Sequence, residues 1–520
     1  KNTGENITEG NMNGCLWVIV FDYSYPADYF DSCHFWTTGS NRFSYSWSSL
    51  KNKLILDYEP DPNTTKIVSA SVTISVNEQH SFDMQLTILN NWGRTTEDIK
   101  FPSDLVFQKN TIDSALLPVL PGIMLESNYF QQNNQGIEFR YPGWPGVFSD
   151  FTSISSTNGQ FSMFSVLEKE RLDPVKFGYY FNYCADELST CYTHNFMSKV
   201  QDGKSWTSPK VRINISKTHN DSINAFRIDN KIDQLKSLEL KLGNLYQKVI
   251  RSALLKAGPD QIKLKFSDYD KFFDLIPYPG LFHLVGYQPR GFDENYPDFI
   301  PPNEDLGTTQ EMAEMFNEAK SRDFVVVPYI NPTWWDDESP TLQNIDPQVS
   351  IDDIAALDKN SIPYYESYGC PNNCHYGYAV TTYSDFVLQR LDKLMTQMKV
   401  DVPSDIIFED QVGARPTVFD YNPASPSPEY YTQGWIEHTE TYSDSILMTE
   451  MGFDLLIDTE TGFHGSLYLI DVKNELGENL RSDDWHYYPF ATILARDKIL
   501  FYQHDLAPET FTHNKANLLW

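Results

Sequence analysis

The strongest constraint on this chain is an alternation that begins near residue 262, where short apolar, β-branched runs are separated by stretches with helical spacing. Ile262-Lys-Leu-Lys-Phe266 comes first, followed by Leu281-Phe-His-Leu-Val-Gly-Tyr287. A helix is expected over residues 308–321, opened by a Thr-Thr-Gln-Glu capping signal and feeding Phe324-Val-Val-Val-Pro-Tyr-Ile330. After an irregular, cysteine-containing insertion, a helix over 384–398 leads to Asp405-Ile-Ile-Phe-Glu409, and another over about 428–442 leads to Ser445-Ile-Leu-Met-Thr449. Ile499-Leu-Phe-Tyr-Gln503 is a later strand-like run. Strand, helix, strand in this order is the pattern of parallel βα units and predicts a (β/α)8 TIM-type barrel over residues 258–520. The apolar end Leu518-Leu519-Trp520 carries no closing signal, so more polypeptide is expected to follow and the barrel to be incomplete in this chain.

The first 230 residues read differently. Leu16-Trp-Val-Ile-Val-Phe21, Lys66-Ile-Val-Ser-Ala-Ser-Val-Thr-Ile-Ser75 and Phe82-Asp-Met-Gln-Leu-Thr-Ile88 are strand-like runs separated by Asn, Gly, Ser and Pro. The last two alternate as half-buried strands do, which predicts an antiparallel β-sandwich over residues 1–230. Ile232, Leu235, Leu238, Leu242, Leu245, Val249 and Leu254 fall at helical spacing and predict a linking helix over 231–257. At 520 residues the chain is long enough for several domains, and no repeat of 20–50 residues suggests a solenoid.

Forty Lys plus Arg against 71 Asp plus Glu give a formal charge of −31, which repels phosphate backbones and anionic lipid and argues against nucleic acid or membrane-surface partners. No apolar run approaches the roughly 18 residues of a membrane span. Six cysteines form three sequence-local couples, Cys15 with Cys33, Cys184 with Cys191 and Cys370 with Cys374, as disulfides of an oxidising compartment would. Zinc competes only at Cys370-Pro-Asn-Asn-Cys374-His375, where no second ligand pair has metal spacing, so neither metal nor cofactor is expected. Sequons at Asn6, Asn63, Asn214 and Asn220 lie in polar stretches expected to be exposed and glycosylated. A chain beginning at Lys1 with these features is expected to be a processed, secreted, extracellular protein.

In a βα barrel the reacting groups stand at the C-terminal ends of the strands. The third predicted strand runs into Asn331-Pro-Thr-Trp334-Trp335-Asp-Asp337, the fourth into Glu409-Asp410-Gln411-Val-Gly-Ala-Arg415, and the fifth into Glu450-Met-Gly-Phe-Asp454. Carboxylates on adjacent strand ends, with strands about 4.8 Å apart, can flank one glycosidic bond. Taken singly, Asp410 reads equally as a loop-structuring carboxylate and Glu450 as a salt-bridged rim residue. Their joint occurrence beside Arg415 and the Trp pair favours Asp410 and Glu450 as catalytic groups. Glu409 should point to the opposite face of its strand. His504-Asp505, at a later strand end, suit either hydroxyl binding or a structural role.

Leu284-Val-Gly-Tyr-Gln288-Pro-Arg-Gly-Phe-Asp293-Glu-Asn-Tyr-Pro-Asp298, Pro328 to Trp335, Phe408 to Arg415 with Asn422-Pro-Ala424, Thr449-Glu450 and Tyr502-Gln-His-Asp505 resemble successive blocks of a glycosidase-like barrel family of unassigned function. The order of acids, Asp after the fourth strand and Glu after the fifth, is similar to that in endo-α-N-acetylgalactosaminidases and α-amylase-type barrels. The resemblance implies a retaining hydrolase of α-glycosides, with Asp410 as nucleophile, held ionised by Arg415, and Glu450 as acid/base, their carboxyl groups about 5–5.5 Å apart. Asn331, Trp334, Trp335, Arg415, Gln288, Asp293, His504 and Asp505 would line a sugar site, with carbohydrate as the partner. A different class also fits: a catalytically silent, glycosidase-derived extracellular structural or fibre-forming glycoprotein that binds carbohydrate and self-assembles.

Overall fold

The computed structural model describes residues 15–23, 28–33, 41–63, 67–77, 80–132, 136–144, 146–157, 159–168, 171–181, 187–276, 280–371, 373–465, 481 and 483–502. The chain divides into two compact units, one of residues 1–233 with 469–494, the other of 234–468 with 495–520. The division corrects the expected boundaries, because the strand Trp485–Tyr487 belongs to the first unit, where it pairs antiparallel with Ile123–Glu126.

The first unit is built from two antiparallel sheets of seven and eleven strands. Ile67–Val76 and Ser81–Asn91 form its longest hairpin, in register from Ile67 opposite Asn91 to Val76 opposite Phe82. Val68, Ala70 and Val72 are buried between less buried neighbours, as the alternation in the sequence requires. Side chains of the two sheets meet where Phe107 stacks on Phe161 at 5.4 Å and Tyr179 hydrogen-bonds Thr152 at 3.2 Å. Cys15–Cys33 is a disulfide; Cys184 lies outside the described residues, and its expected partner Cys191 sits on the strand Ser189–Phe196.

The expected exposure of the sequons holds for Asn63 and Asn220. Asn6 lies outside the described residues. Asn214 corrects the expectation: it is 6% exposed, on a strand paired on both sides with Ser162 and Ser81, where a glycan would have to part the sheet.

The second unit carries a parallel seven-stranded, barrel-like sheet in sequential order: Leu254–Ala257, Leu281–Leu284, Val325–Ile330, Ile407–Gly413, Leu447–Met451, Glu460–His464 and Leu500–Tyr502. Val325, Val326 and Val327 are all 0% exposed, buried on both faces as strands of a helix-covered parallel sheet are. Helix Thr309–Ser321 opens with the expected capping box, Thr308 accepting from the Glu311 amide, and lays Met312, Met315, Phe316 and Ala319 on the core. At roughly 1.5–3 kcal/mol per fully buried side chain, those few residues dock the helix. Helices Asp385–Val400 and Tyr430–Thr441 follow near the expected positions.

Two expectations fail at the start of this unit. Residues 231–257 do not form one helix; Leu238–Leu242 ends at Gly243, whose φ of 53° stops it, and Leu254–Ala257 is the first strand. Ile262 to Phe266 is not a strand: Pro259 starts a helical turn, Pro259–Ile262, and Lys263 is left-handed at φ 52°. Leu254 satisfies helical spacing locally, yet its backbone pairs with Leu281, a nonlocal partner that periodicity cannot reveal. The later strands keep the ranks expected for them, so Asp410 and Glu450 do sit on the fourth and fifth.

Between the third strand and helix Asp385–Val400 lies a separate three-stranded sheet of Trp334–Asp336, Tyr365–Tyr368 and His375–Ala379. Cys370–Cys374 is a disulfide in its hairpin loop, which leaves no thiolate there for zinc. Among the described residues no helix is long and apolar enough to cross a membrane.

Candidate active site

Asp410 and Glu450 leave neighbouring parallel strands, and their carboxyl groups hydrogen-bond each other. Burial and then the negative charge of Glu450 push Asp410 well above the ordinary carboxylate range, while the Tyr329 hydroxyl and Lys256 pull it back. Two acids this close do not both ionise readily, and one proton held between them turns their repulsion into a hydrogen bond.

The donors to Asp410 come from the third strand. Its Oδ2 accepts from the Tyr329 hydroxyl at 2.9 Å and from Asn331 Nδ2 at 3.2 Å. The Asn331 carbonyl oxygen is in turn held by the Thr333 amide and hydroxyl, both at 3.1 Å, so the side chain is fixed before anything binds. Burial keeps the Tyr329 phenol far above its usual titration range, so it remains a neutral donor.

The loop after the second strand adds a third carboxyl. Asp293, left-handed at φ 61°, accepts from the Tyr296 hydroxyl at 3.3 Å, and its amide donates to the same oxygen at 2.9 Å. The single phenolic hydrogen of Tyr296 can go instead to the Tyr329 hydroxyl at 3.2 Å, so the two tyrosines lie between Asp293 and Asp410. Burial first, and the charge of Asp410 second, raise Asp293 to about 7; His375, Tyr296 and Lys256 oppose the rise. Lys256, on the first strand, is thus the cation that acts on both aspartates, with its ammonium 5.9 Å from the centre of the Phe292 ring.

Several expected ligands take supporting roles instead. Arg415 does not hold Asp410 ionised: its guanidinium binds Glu366 Oε1 at 2.6 Å and Gln411 Oε1 at 2.9 Å and lies over the Tyr431 ring. It thereby braces Gln411, the left-handed residue at φ 65° that follows Asp410. Trp334 and Trp335 are each 0% exposed, so neither presents a face for a sugar ring. Trp334 packs edge-on to Tyr296 and Tyr368, and Trp335 Nε1 donates to the Pro332 carbonyl. Gln288 is likewise buried and donates to Tyr296 at 3.1 Å. His504 and Asp505 lie outside the described residues. Glu409 does face away, pairing with buried His438 at 2.7 Å.

Sequence reasoning missed Lys256, Tyr296 and Tyr329. The two tyrosines stand inside blocks already singled out, but Lys256 lies on the strand misread as helix.

The architecture is a glycoside-hydrolase-like fold: a barrel-like parallel sheet, with antiparallel sheets in the N-terminal region and two acids on neighbouring strands. An α-N-acetylgalactosaminidase, NagBb, from Bifidobacterium bifidum, solved with GalNAc, superposes with a TM-score of 0.71 at 11% identity, covering 94% of this chain and 79% of that one. An α-galactosidase from Lactobacillus brevis gives 0.50 at 9% identity, covering 99% and 74%. Residues 265–491 match the family described as Domain of unknown function (DUF6259). No curated protein matches the chain.

Proposed function

We propose that this chain is a secreted glycoside hydrolase that cleaves an α-linked sugar with retention, using Asp410 as nucleophile and Glu450 as acid/base. The observation that carries the reading is the proton-sharing pair of carboxyls on adjacent strand ends. Asp410 suits the nucleophile's role because Tyr329 and Asn331 donate to its oxygen and stabilise its ionised form. Glu450 then keeps the shared proton and delivers it to the departing oxygen as the anomeric carbon bonds to Asp410. A water deprotonated by Glu450 next displaces Asp410 and restores the starting state. Asp293, at the rim of the same network, is placed to accept a sugar hydroxyl. The fold likeness to an α-N-acetylgalactosaminidase and an α-galactosidase makes galacto-configured α-glycosides the first substrates to try. The Cys15–Cys33 and Cys370–Cys374 disulfides support an extracellular setting.

The test is turnover of aryl α-N-acetylgalactosaminide and α-galactoside by the purified protein, with product stereochemistry followed by NMR. Retention is expected, and Asp410→Asn should lower kcat at least about 1,000-fold while sugar binding persists. Absence of turnover on a broad panel of aryl α-glycosides, with sugar binding intact, would overturn the hydrolase reading.

A further inference from the structure

The ladder between the fourth and fifth strands is regular from Ile407 opposite Leu447 to Glu409 opposite Thr449, then jumps to Gly413 opposite Met451. Two extra residues are accommodated on the fourth strand, in the stretch that carries Asp410. The residue after each acid is left-handed, Gln411 at φ 65° and Met451 at φ 50°, a conformation that non-glycine residues hold only when their surroundings impose it. A side chain spans this irregular stretch. The hydroxyl of Thr449, fully buried, donates to the Glu409 carbonyl at 2.9 Å and accepts from the Gly413 amide at 2.9 Å. It thus bridges the two ends of the bulge and replaces the ladder bonds that the extra residues interrupt. Gly413 makes the approach feasible, since a Cβ there would stand 2.7 Å from the Glu450 carbonyl oxygen.

We propose that Thr449 is a positioning residue for catalysis: its hydroxyl, threaded through the bulge between the fourth and fifth strands, sets the separation of the Asp410 and Glu450 carboxyl groups. The catalytic part of this inference rests on the hydrolase reading; the spacing part does not. Thr449 touches no reacting atom. It acts on Asp410 through the backbone of Glu409 and on Glu450 through its own peptide bond. A misplacement of about 1 Å between reacting groups is enough to cost on the order of 100-fold in rate. The charged and titratable groups facing Asp410 are Lys256 from the first strand, Asp293 and Tyr296 from the loop after the second, Tyr329 from the third and Glu450 from the fifth. None of them is altered by substitution at position 449, so a change in the titration of the pair reports its spacing.

The experiment compares Thr449→Ser, Thr449→Ala and Thr449→Val in the full chain. Two readouts are taken: the pH profile of kcat on an aryl α-glycoside, and the pH dependence of carbodiimide labelling of Asp410 located by peptide mass spectrometry. Ala and Val should lower kcat about 10- to 100-fold with KM within about threefold. Weaker coupling of the acids should narrow the bell-shaped profile and move half-labelling of Asp410 down by about one pH unit. Ser, which keeps the hydroxyl, should recover turnover to within about threefold and restore the profile. Should Val fail to fold, Ser against Ala decides. If Ser is as impaired as Ala, or Ala matches the unaltered protein in both readouts, the proposal is overturned. If the unaltered protein turns over nothing but labelling shifts in Ala and not in Ser, the spacing role stands and the hydrolase reading falls.

Discussion

Tyr329 donates its phenolic hydrogen to Asp410 Oδ2 across 2.9 Å, and its oxygen lies 3.2 Å from the Tyr296 hydroxyl, which also contacts Asp293 at 3.3 Å, so Asp410 is tied to a buried pair of tyrosines. Because Tyr329 stays neutral, the bond stabilises the ionised form of Asp410 and opposes the rise imposed by burial and Glu450.

Tyr329→Phe removes that donor. Asp410 should then ionise at higher pH, moving the acidic limb of the kcat/KM profile upward and lowering kcat about 10-fold or more at neutral pH. A pH–rate profile checks this, and an acidic limb that stays in place would show the bond to be unimportant in the working enzyme.

Lys256→Met takes away the positive charge that acts on Asp410 and Asp293 together. Both acids should hold their protons to higher pH, so the acidic limb again moves up. Unlike Tyr329→Phe, the change should also weaken with added salt to the extent that the lysine is solvated. Comparing the two variants at low and high ionic strength separates charge from hydrogen bonding.

Glu450→Gln cannot deliver a proton. Turnover of glycosides with poor leaving groups should fall by several orders of magnitude, and activated aryl glycosides should be affected much less. A leaving-group series gives the slope directly; equal losses across the series would remove Glu450 from the acid/base role.

Asp293→Asn bears on stability. With the folded group raised from 3.8 to about 7, the folded state binds more protons than the unfolded chain between those values. Stability contributed by this group is therefore present at low pH and lost as pH rises from about 4 towards 7. Thermal melting across that range should show the amide variant losing less stability with rising pH than the unaltered protein, and parallel curves would contradict the assignment.

Much of this was legible in the chain itself. Strong local signals, the Thr308 capping box, the Val325–Val327 run and the period-two hairpin strands, reach the structure unchanged, because each depends on neighbours a few residues away. The ranks of Asp410 and Glu450 at consecutive strand ends follow from the same βα periodicity. Trp334 and Trp335 mark the boundary of such reasoning. A sequence records that an aromatic is present, but whether its face meets solvent or Tyr296 depends on what folds over it.

The sequence by itself determined the kind of architecture and the ranks of Asp410 and Glu450 on consecutive strands, since hydrophobic period and residue order are properties of the linear chain. Only the tertiary structure decided what surrounds them: Lys256 rather than Arg415 as the cation acting on Asp410, the Tyr296–Tyr329 pair, the return of Trp485–Tyr487 to the first unit, and the Thr449 bridge. Each joins residues far apart in the chain or turns on the direction of one side chain. Electrostatic and hydrogen-bond partners are chosen by distance in space, and distance in space is what folding adds to a sequence.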